Sequence, residues 1–129
     1  MLWRPLRYRR VWFALGLLLI LIVLYLCLAP SIPGPSFPGV DKAEHLLTWL
    51  VVTAWFASLV ERSAYVRVAI VMIGIGIGIE FAQYWMALGR DGDWRDVVAN
   101  SVGVGAGLLV AAVRRESWFA WVEKWLPAT

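Results

Sequence analysis

The chain carries most of its membrane-embedded polar side chains in three short groups, each set into an otherwise apolar stretch. The first group contains the single histidine of the sequence. The groups are Asp41, Lys42, Glu44 and His45, then Glu80 and Gln83, then Asp96 and Asn100. A histidine beside carboxylates is suited to proton transfer near neutral pH. These groups are therefore the part of the sequence best equipped for chemistry.

Three residues are the candidate catalytic groups, because an imidazole and a carboxylate can act as an acid and base pair. They are His45, Glu80 and Asp96. The remaining charges and amides form the predicted ligand-binding set, which is Asp41, Lys42, Gln83, Arg90 and Asn100. Within this set, the two cations would hold a phosphate or carboxylate group of the ligand.

Two other interpretations of the same residues stay open. A divalent metal could be held by the histidine and three carboxylates, namely Asp41, His45, Glu80 and Asp96. One histidine, and one cysteine buried in an apolar run, disfavour a tight zinc site, so neither a metal nor another cofactor is predicted. Alternatively, the polar groups form a charge network that only fixes how the helices pack, with Gln83 and Asn100 as interhelical hydrogen bonds.

Helix capping offers some of the carboxylates a purely local role. Asp41 followed three residues later by Glu44 resembles a capping box at a helix start. Asp93 is positioned to cap the next polar segment, and Asp96 lies where a helix dipole favours negative charge. Capping alone would account for these residues without any ligand.

The composition is that of a membrane protein. Of the 129 residues, 61% are hydrophobic and 16% are charged, whereas soluble domains have about 45–50% apolar and about 25% charged residues. The net charge of +3 lies mainly in the flanks of apolar segments, and no nucleic-acid partner is predicted. The lone Cys27 can form no disulfide within the chain.

Four apolar segments are long enough to cross a bilayer, which takes about 20 helical residues. They cover residues 11–29, 41–60, 65–88 and 96–113. The first is longer than the apolar core of a signal peptide, about 7–15 residues, so a retained span is favoured over a cleaved leader. We predict an all-α polytopic membrane protein with a basic tail over 1–10, four transmembrane helices over 11–113 and an amphipathic interfacial helix over 114–129.

The distribution of Lys and Arg predicts the orientation. Nine lie on the two tails and between the second and third segments, and three lie on the opposite side. Basic flanks stay in the cytoplasm, so both termini are predicted to be cytoplasmic, in a bacterial cytoplasmic (inner) membrane. The polar groups then lie near the outer face.

Depth in the membrane predicts that the polar groups meet. A charge exposed to lipid costs about 2.5 kcal/mol or more near the bilayer centre, and the three groups lie at similar depth in the outer half. We expect one outward-facing pocket between the second, third and fourth helices, braced by the first. The glycine pairs Gly74/Gly78 and Gly103/Gly107 have the spacing that lets helices pack closely, and either face could join two chains in a homo-oligomer.

The order of these residues resembles the VanZ-like family of small bacterial membrane proteins. The matching pattern is Asp41-Lys42-x-x-His45, Glu80-x-x-Gln83 and Arg90-x5-Asp96-x3-Asn100-x2-Gly103-x3-Gly107. The acidic stretch Asp91-Gly92-Asp93 departs from that pattern. The family is named for a protein associated with teicoplanin resistance, so the resemblance implies a role in the cell envelope and a link to glycopeptide tolerance.

The predicted function is to bind or modify an envelope or lipid-linked ligand, or a glycopeptide, at the outer leaflet. The alternative is a non-enzymatic membrane scaffold or interaction protein. The residue pattern does not distinguish an enzyme from a binding protein.

Overall fold

The described part of the chain is mostly helical. The computed structural model describes residues 2–29, 39–86, 93–114 and 116–127. The α-helices in these ranges are α1 (Arg9–Leu28), α2 (Val40–Leu59), α3 (Tyr65–Met86), α4 (Trp94–Val113) and α5 (Trp118–Glu123), with a 3-10 turn at Arg62–Ala64. An isolated bridge between Trp3 and Val60 is the β-pairing found in the same ranges. The all-α prediction is confirmed.

Three helical segments within the described residues are long and apolar enough to cross a membrane. They are Arg9–Leu28, Arg62–Met86 and Trp94–Val113. Each exposes large apolar side chains, among them Leu21, Ile70 and Leu109, which suits a lipid environment. The second predicted span, α2, does not qualify in the same way, since its first turns carry Asp41, Lys42, Glu44 and His45.

α2 is the central helix of the bundle. It packs against α1, α3, α4 and α5. Most of the helix from Trp49 onward is buried, at Trp49, Val52, Thr53, Phe56, Ala57, Ser58 and Leu59. Its ionisable residues lie in the first two turns, before this buried part, where Asp41 and Glu44 are exposed.

The most extensive helix contact is between α2 and α4, and two glycines of α4 allow it. A Cβ at Gly107 would lie 2.5 Å from the carbonyl oxygen of Leu50. A Cβ at Gly103 would overlap the carbonyl oxygen of Leu46. The small residues therefore let the two backbones approach closely, as their spacing predicts. α2 of the same chain covers the Gly103/Gly107 face, and a homo-oligomer through that face stays a prediction.

The other glycine pair makes no comparable contact. Gly74 and Gly78 are exposed, and a Cβ on either would meet nothing within 4 Å in the described residues. Gly76, between them, is the buried one, and its Cβ would lie 3.3 Å from Nδ2 of Asn100 and 3.4 Å from Trp49. The prediction that Gly74 and Gly78 form a close helix contact is wrong within this chain, and a homo-oligomer through their exposed face stays a prediction.

The two polar helix starts differ in how they are capped. α2 begins at Val40 after Gly39, whose φ of 87° is left-handed, a conformation that glycine adopts at little cost. Asp41 lies in the first turn and makes no capping hydrogen bond, so the capping-box prediction is wrong. Asp93 does cap α4, accepting the Arg95 N–H at 2.9 Å.

The C-terminal segment docks on the bundle. Phe119 is buried and stacks on Trp12 with ring centroids 4.8 Å apart. The Glu123 carboxylate accepts the N–H groups of Arg7 and Tyr8 and the indole N–H of Trp12, each at 2.9 Å. Burial tends to raise the pKa of Glu123, but these hydrogen bonds outweigh it and lower the pKa below its usual value. Both described ends of the chain therefore meet at one end of the bundle.

α5 is shorter than the amphipathic helix predicted over 114–129. It spans six residues. Trp121 in α5 and Trp125 just after it are 46% and 77% exposed. An amphipathic interfacial helix over 114–129 stays a prediction, and sequence reasoning missed that Phe119 and Glu123 attach the segment to α1.

A glycine comparison tests the α2–α4 contact. Gly107→Ala should lower the melting temperature, because crowding a packed interface costs about 1–3 kcal/mol. Gly105→Ala is the matched control, since Gly105 is on the same helix with nothing within 4 Å of its added Cβ; it should be neutral or stabilising by up to about 1 kcal/mol. Thermal unfolding in detergent, followed by size-exclusion chromatography, measures both. Equal melting temperatures would contradict the close approach of α2 and α4.

Candidate functional site

His45 lies where α2, α3 and α4 meet. Its Nδ1 is 2.9 Å from Oδ1 of Asn100 on α4. An amide oxygen only accepts hydrogen bonds, so Nδ1 carries a proton and donates it. The side chain of His45 is 11% exposed. Asn100 thereby fixes both the orientation of the ring and its tautomer.

The other ring nitrogen faces two carboxylates. Nε2 of His45 is 3.9 Å from Oδ1 of Asp41 and 3.9 Å from Oδ2 of Asp96. Because Nδ1 holds the proton, Nε2 of a neutral ring carries a lone pair. A cation bound at Nε2 would lie near an oxygen of both carboxylates.

Lys42 is enclosed by three aspartates. Its Nζ contacts Oδ1 of Asp96, and lies 3.0 Å from Oδ2 of Asp93 and 3.2 Å from Oδ2 of Asp41. The Arg95 N–H and then the Lys42 ammonium lower the pKa of Asp93 below its usual value. Lys42 thus pairs with carboxylates of the protein itself, and its role in holding a ligand phosphate stays a prediction.

Glu80 lies inside the bundle, 7% exposed. Its Oε2 accepts the backbone N–H of Asp93 at 3.2 Å. Its Oε1 is 3.9 Å from Nδ1 of His45 and has no hydrogen-bond partner among the described residues. The carboxylate turns away from lipid, as the cost of exposing it there leads us to expect.

Two predicted binding residues, Gln83 and Arg90, are not seen in contact with these groups in the described part of the chain. Gln83 is buried, and its Nε2 donates to the carbonyl oxygen of Cys27 at 2.8 Å. That bond ties α3 to the end of α1, as the interhelical alternative for Gln83 expects, and the assignment of Gln83 to ligand binding stays a prediction. Arg90 lies outside the described residues.

A cleft opens beside these groups, between the end of α1 and the first half of α2. It has a volume of about 530 Å³, and its lining includes Leu26 and Cys27 of α1 with Asp41, His45 and Thr48 of α2. This cleft lies on the α1 side of the described residues, and a pocket between α2, α3 and α4 stays a prediction. α1, expected only to brace the pocket, forms one wall of the cleft.

The polar groups form one acidic unit, which we call the His45 cluster. Its members are Asp41, Lys42, His45, Glu80, Asp93, Asp96 and Asn100. Four carboxylates face one lysine, so the cluster is negative even when its histidine is protonated. One ligand atom from each of Asp41, His45 and Asp96 lies within 4.8 Å of the others. Those three residues are the ones that could hold a cation.

Asp93 is the member that sequence reasoning left out of the site. Its position three residues before Asp96 predicted a helix cap, and the cap is present. The additional contact with Lys42 joins residues 51 positions apart, which no local pattern indicates. The available signal in the sequence was the excess of carboxylates over cations. Lys42 is the only Lys or Arg in the first polar group, so acidic residues of other segments could be expected to approach it.

A double-mutant cycle tests the Lys42–Asp96 pair. Lys42→Met and Asp96→Asn should each destabilise the protein, and together cost less than their sum by about 1–3 kcal/mol, since each change alone leaves charge uncompensated. The control cycle uses Lys124→Met and Glu116→Gln, an exposed pair with side chains 59% and 61% accessible, whose coupling should stay below about 1 kcal/mol. Equilibrium unfolding in detergent gives the values. Equal coupling energies in the two cycles would contradict the claim that the Lys42–Asp96 pair stabilises the fold more than an exposed ion pair does.

Comparisons with known proteins give one informative relative. No family model matches the sequence, and no solved structure does. An uncharacterized protein of Schizosaccharomyces pombe is 32% identical over 107 residues, which cover 79% of this chain and 63% of the relative. The chain thus spans less than two thirds of that relative's length. The relative is eukaryotic and lends no support to a bacterial location, and the VanZ-like resemblance stays a prediction.

Proposed function

We propose that the chain is a VanZ-like membrane protein with four spans that binds an amphipathic ligand in the cleft between α1 and α2. The observation that carries this proposal is the composition of the cleft wall. Apolar side chains such as Leu26 and Leu47 lead to Asp41 and His45 in the same cleft. A ligand with a lipid-like tail and a polar head fits a site that changes from apolar to ionisable in this way.

The fourth span in this proposal is α2. Its 20 residues give a helix of about 30 Å, the thickness of a bilayer core. The ionisable residues lie in its first two turns, so they fall near one membrane face, and the helices around it shield the rest. Four spans place both termini on one side, and the excess of Lys and Arg there makes that side cytoplasmic.

In this orientation the His45 cluster faces the extracytoplasmic side. In a bacterium the protein would lie in the inner membrane and meet envelope components, with α5 and its exposed tryptophans at the cytoplasmic interface. A lipid-linked envelope molecule is the ligand class most consistent with that setting. Participation in glycopeptide tolerance rests on the VanZ-like resemblance.

The charge of the cluster limits how such a ligand could be held. Lys42 is already surrounded by aspartates, so it offers little to a phosphate. A head group that donates hydrogen bonds can meet the carboxylate of Asp41 directly. An anionic head group would need a cation between itself and the cluster.

A second candidate function is a scaffold in which the polar groups only fix helix packing. Two observations favour it: Gln83 is used in a hydrogen bond to Cys27 of α1, and Nδ1 of His45 is used in a hydrogen bond to Asn100. Polar bonds between transmembrane helices can serve packing alone. In that case the cleft would have no preferred ligand.

Filling the cleft separates the two functions. Thr48→Trp places a large ring in the cleft, whereas Val51→Trp adds the same ring at a site 51% exposed on the same helix, outside the cleft lining. Both variants and the parent protein are reconstituted into vesicles of phosphatidylethanolamine and phosphatidylglycerol and extracted again in detergent. Native mass spectrometry then counts the lipid molecules that each protein retains. A loss of about 1.4 kcal/mol of binding free energy corresponds to a tenfold lower lipid affinity. We expect a loss of at least this size for Thr48→Trp and no loss for Val51→Trp.

The scaffold alternative predicts a different result. Both tryptophan variants would then retain as much lipid as the parent protein, with unchanged insertion and elution. That outcome would contradict ligand binding in the cleft and leave the charge network as a packing device.

A further inference from the structure

We propose that His45, Asp41 and Asp96 bind one divalent transition-metal ion. The ligand atoms are Nε2 of His45, Oδ1 of Asp41 and Oδ2 of Asp96. The two oxygens each lie 3.9 Å from Nε2, and the three residues offer ligand atoms within 4.8 Å of one another. Ligands about 2.1 Å from a tetrahedral ion are about 3.4 Å apart, so closing around an ion takes shifts of roughly an ångström or less.

The histidine is prepared for a metal in the way that metal-ligating histidines usually are. Nδ1 donates its proton to Asn100 at 2.9 Å, which leaves Nε2 with its lone pair, 3.9 Å from an oxygen of each of the two carboxylates. In metal sites the second ring N–H is commonly held by such an oxygen, which fixes the tautomer and raises the basicity of the ligating nitrogen. Asn100 is the positioning residue in this arrangement.

Lys42 does not compete for the same oxygens. It contacts Oδ2 of Asp41 and Oδ1 of Asp96, whereas the opposite oxygen of each carboxylate faces His45. Each aspartate is thereby oriented by the lysine through one oxygen, and among the described residues the other oxygen lies near Nε2 of His45. This is how outer hydrogen bonds hold carboxylate ligands in place.

A separate observation is that one carboxylate oxygen near the His45 ring is left without a donor in the described part of the chain. Glu80 is more than nine-tenths buried, and its Oε1 points toward the His45 ring without a hydrogen-bond partner among the described residues. A buried carboxylate oxygen without a donor is costly. A dication bound at Nε2, on the far side of the imidazole from Glu80, would add positive charge to the same cluster.

The donor set indicates the class of ion. One imidazole nitrogen with two carboxylate oxygens suits Zn²⁺, Mn²⁺ or Fe²⁺ better than it suits Ca²⁺, which prefers a site made of oxygen ligands alone. The set differs from the four-residue alternative considered from sequence, because Glu80 faces Nδ1 and not Nε2. Three protein ligands leave coordination positions open, as in metal sites that bind a further ligand.

The metal would also define the ligand of the cleft, and this part of the inference rests on the proposed function. Asp41 and His45 line the cleft, so an ion between them would be reachable from it. A phosphate or carboxylate head group could then bind through the ion, although the cluster itself is acidic. The metal supplies the positive charge that Lys42 was predicted to provide.

The test uses the full-length protein in detergent, stripped with a chelator and titrated with Mn²⁺. We expect one Mn²⁺ per chain and, in pulsed electron paramagnetic resonance, ¹⁴N coupling from one imidazole. His45→Gln should abolish the ¹⁴N coupling, and Asp41→Asn should weaken affinity by about tenfold or more, as losses in metal shells do. Glu44→Gln is the matched control, an acidic residue next to His45 and outside the three-ligand set, and should change affinity by less than about twofold.

Asp41→Asn keeps the test decisive if His45→Gln fails to fold, because the Asp41 side chain is 62% exposed and its amide is nearly isosteric. Absence of stoichiometric Mn²⁺ in the parent protein, absence of ¹⁴N coupling, or equal weakening by Glu44→Gln and Asp41→Asn would each overturn the proposal. The lipid-retention comparison is run on metal-free protein. Failure of Mn²⁺ binding with that comparison intact would therefore reject the metal and leave the cleft ligand standing.

Discussion

The fold depends on the cost of placing ionisable groups among apolar helices. α2, α3 and α4 each bring such groups to the same end of the bundle, where they lie close to the side chain of His45. The His45–Asn100 hydrogen bond joins α2 to α4, and Glu80 approaches the same ring from α3. Outside water, these groups have few partners other than one another.

Close packing makes that meeting geometrically attainable. Gly103 lies three residues after Asn100, and it lets α4 approach the carbonyl of Leu46, the residue next to His45. Gly76 does the same for α3, since a side chain there would press on Asn100 and Trp49. The glycines and the polar groups therefore act together. The glycines let the helix backbones approach closely, and this approach brings the polar side chains of different helices within contact distance.

Sequence reasoning reached every member of the His45 cluster except Asp93, but it did not reach their pairing. Period and depth were enough to place His45, Glu80, Asp96 and Asn100 together, because charge in lipid leaves few arrangements. The partner of Lys42 was not accessible in this way, since three aspartates from two segments compete for it and local sequence cannot rank them. The cleft on the α1 side and the docking of Glu123 on the start of α1 depend on tertiary contacts between distant segments. They carry no periodic signal.

The central claim is that Asn100 holds His45 in the Nδ1–H form inside the bundle. As His45 is the only histidine, ¹⁵N-histidine labelling gives one residue's signals in solid-state NMR of the protein in bilayers. The account predicts a protonated Nδ1 in a hydrogen bond that is lost on Asn100→Leu. A neutral ring with its proton on Nε2 and a bare Nδ1, unchanged by Asn100→Leu, would contradict it.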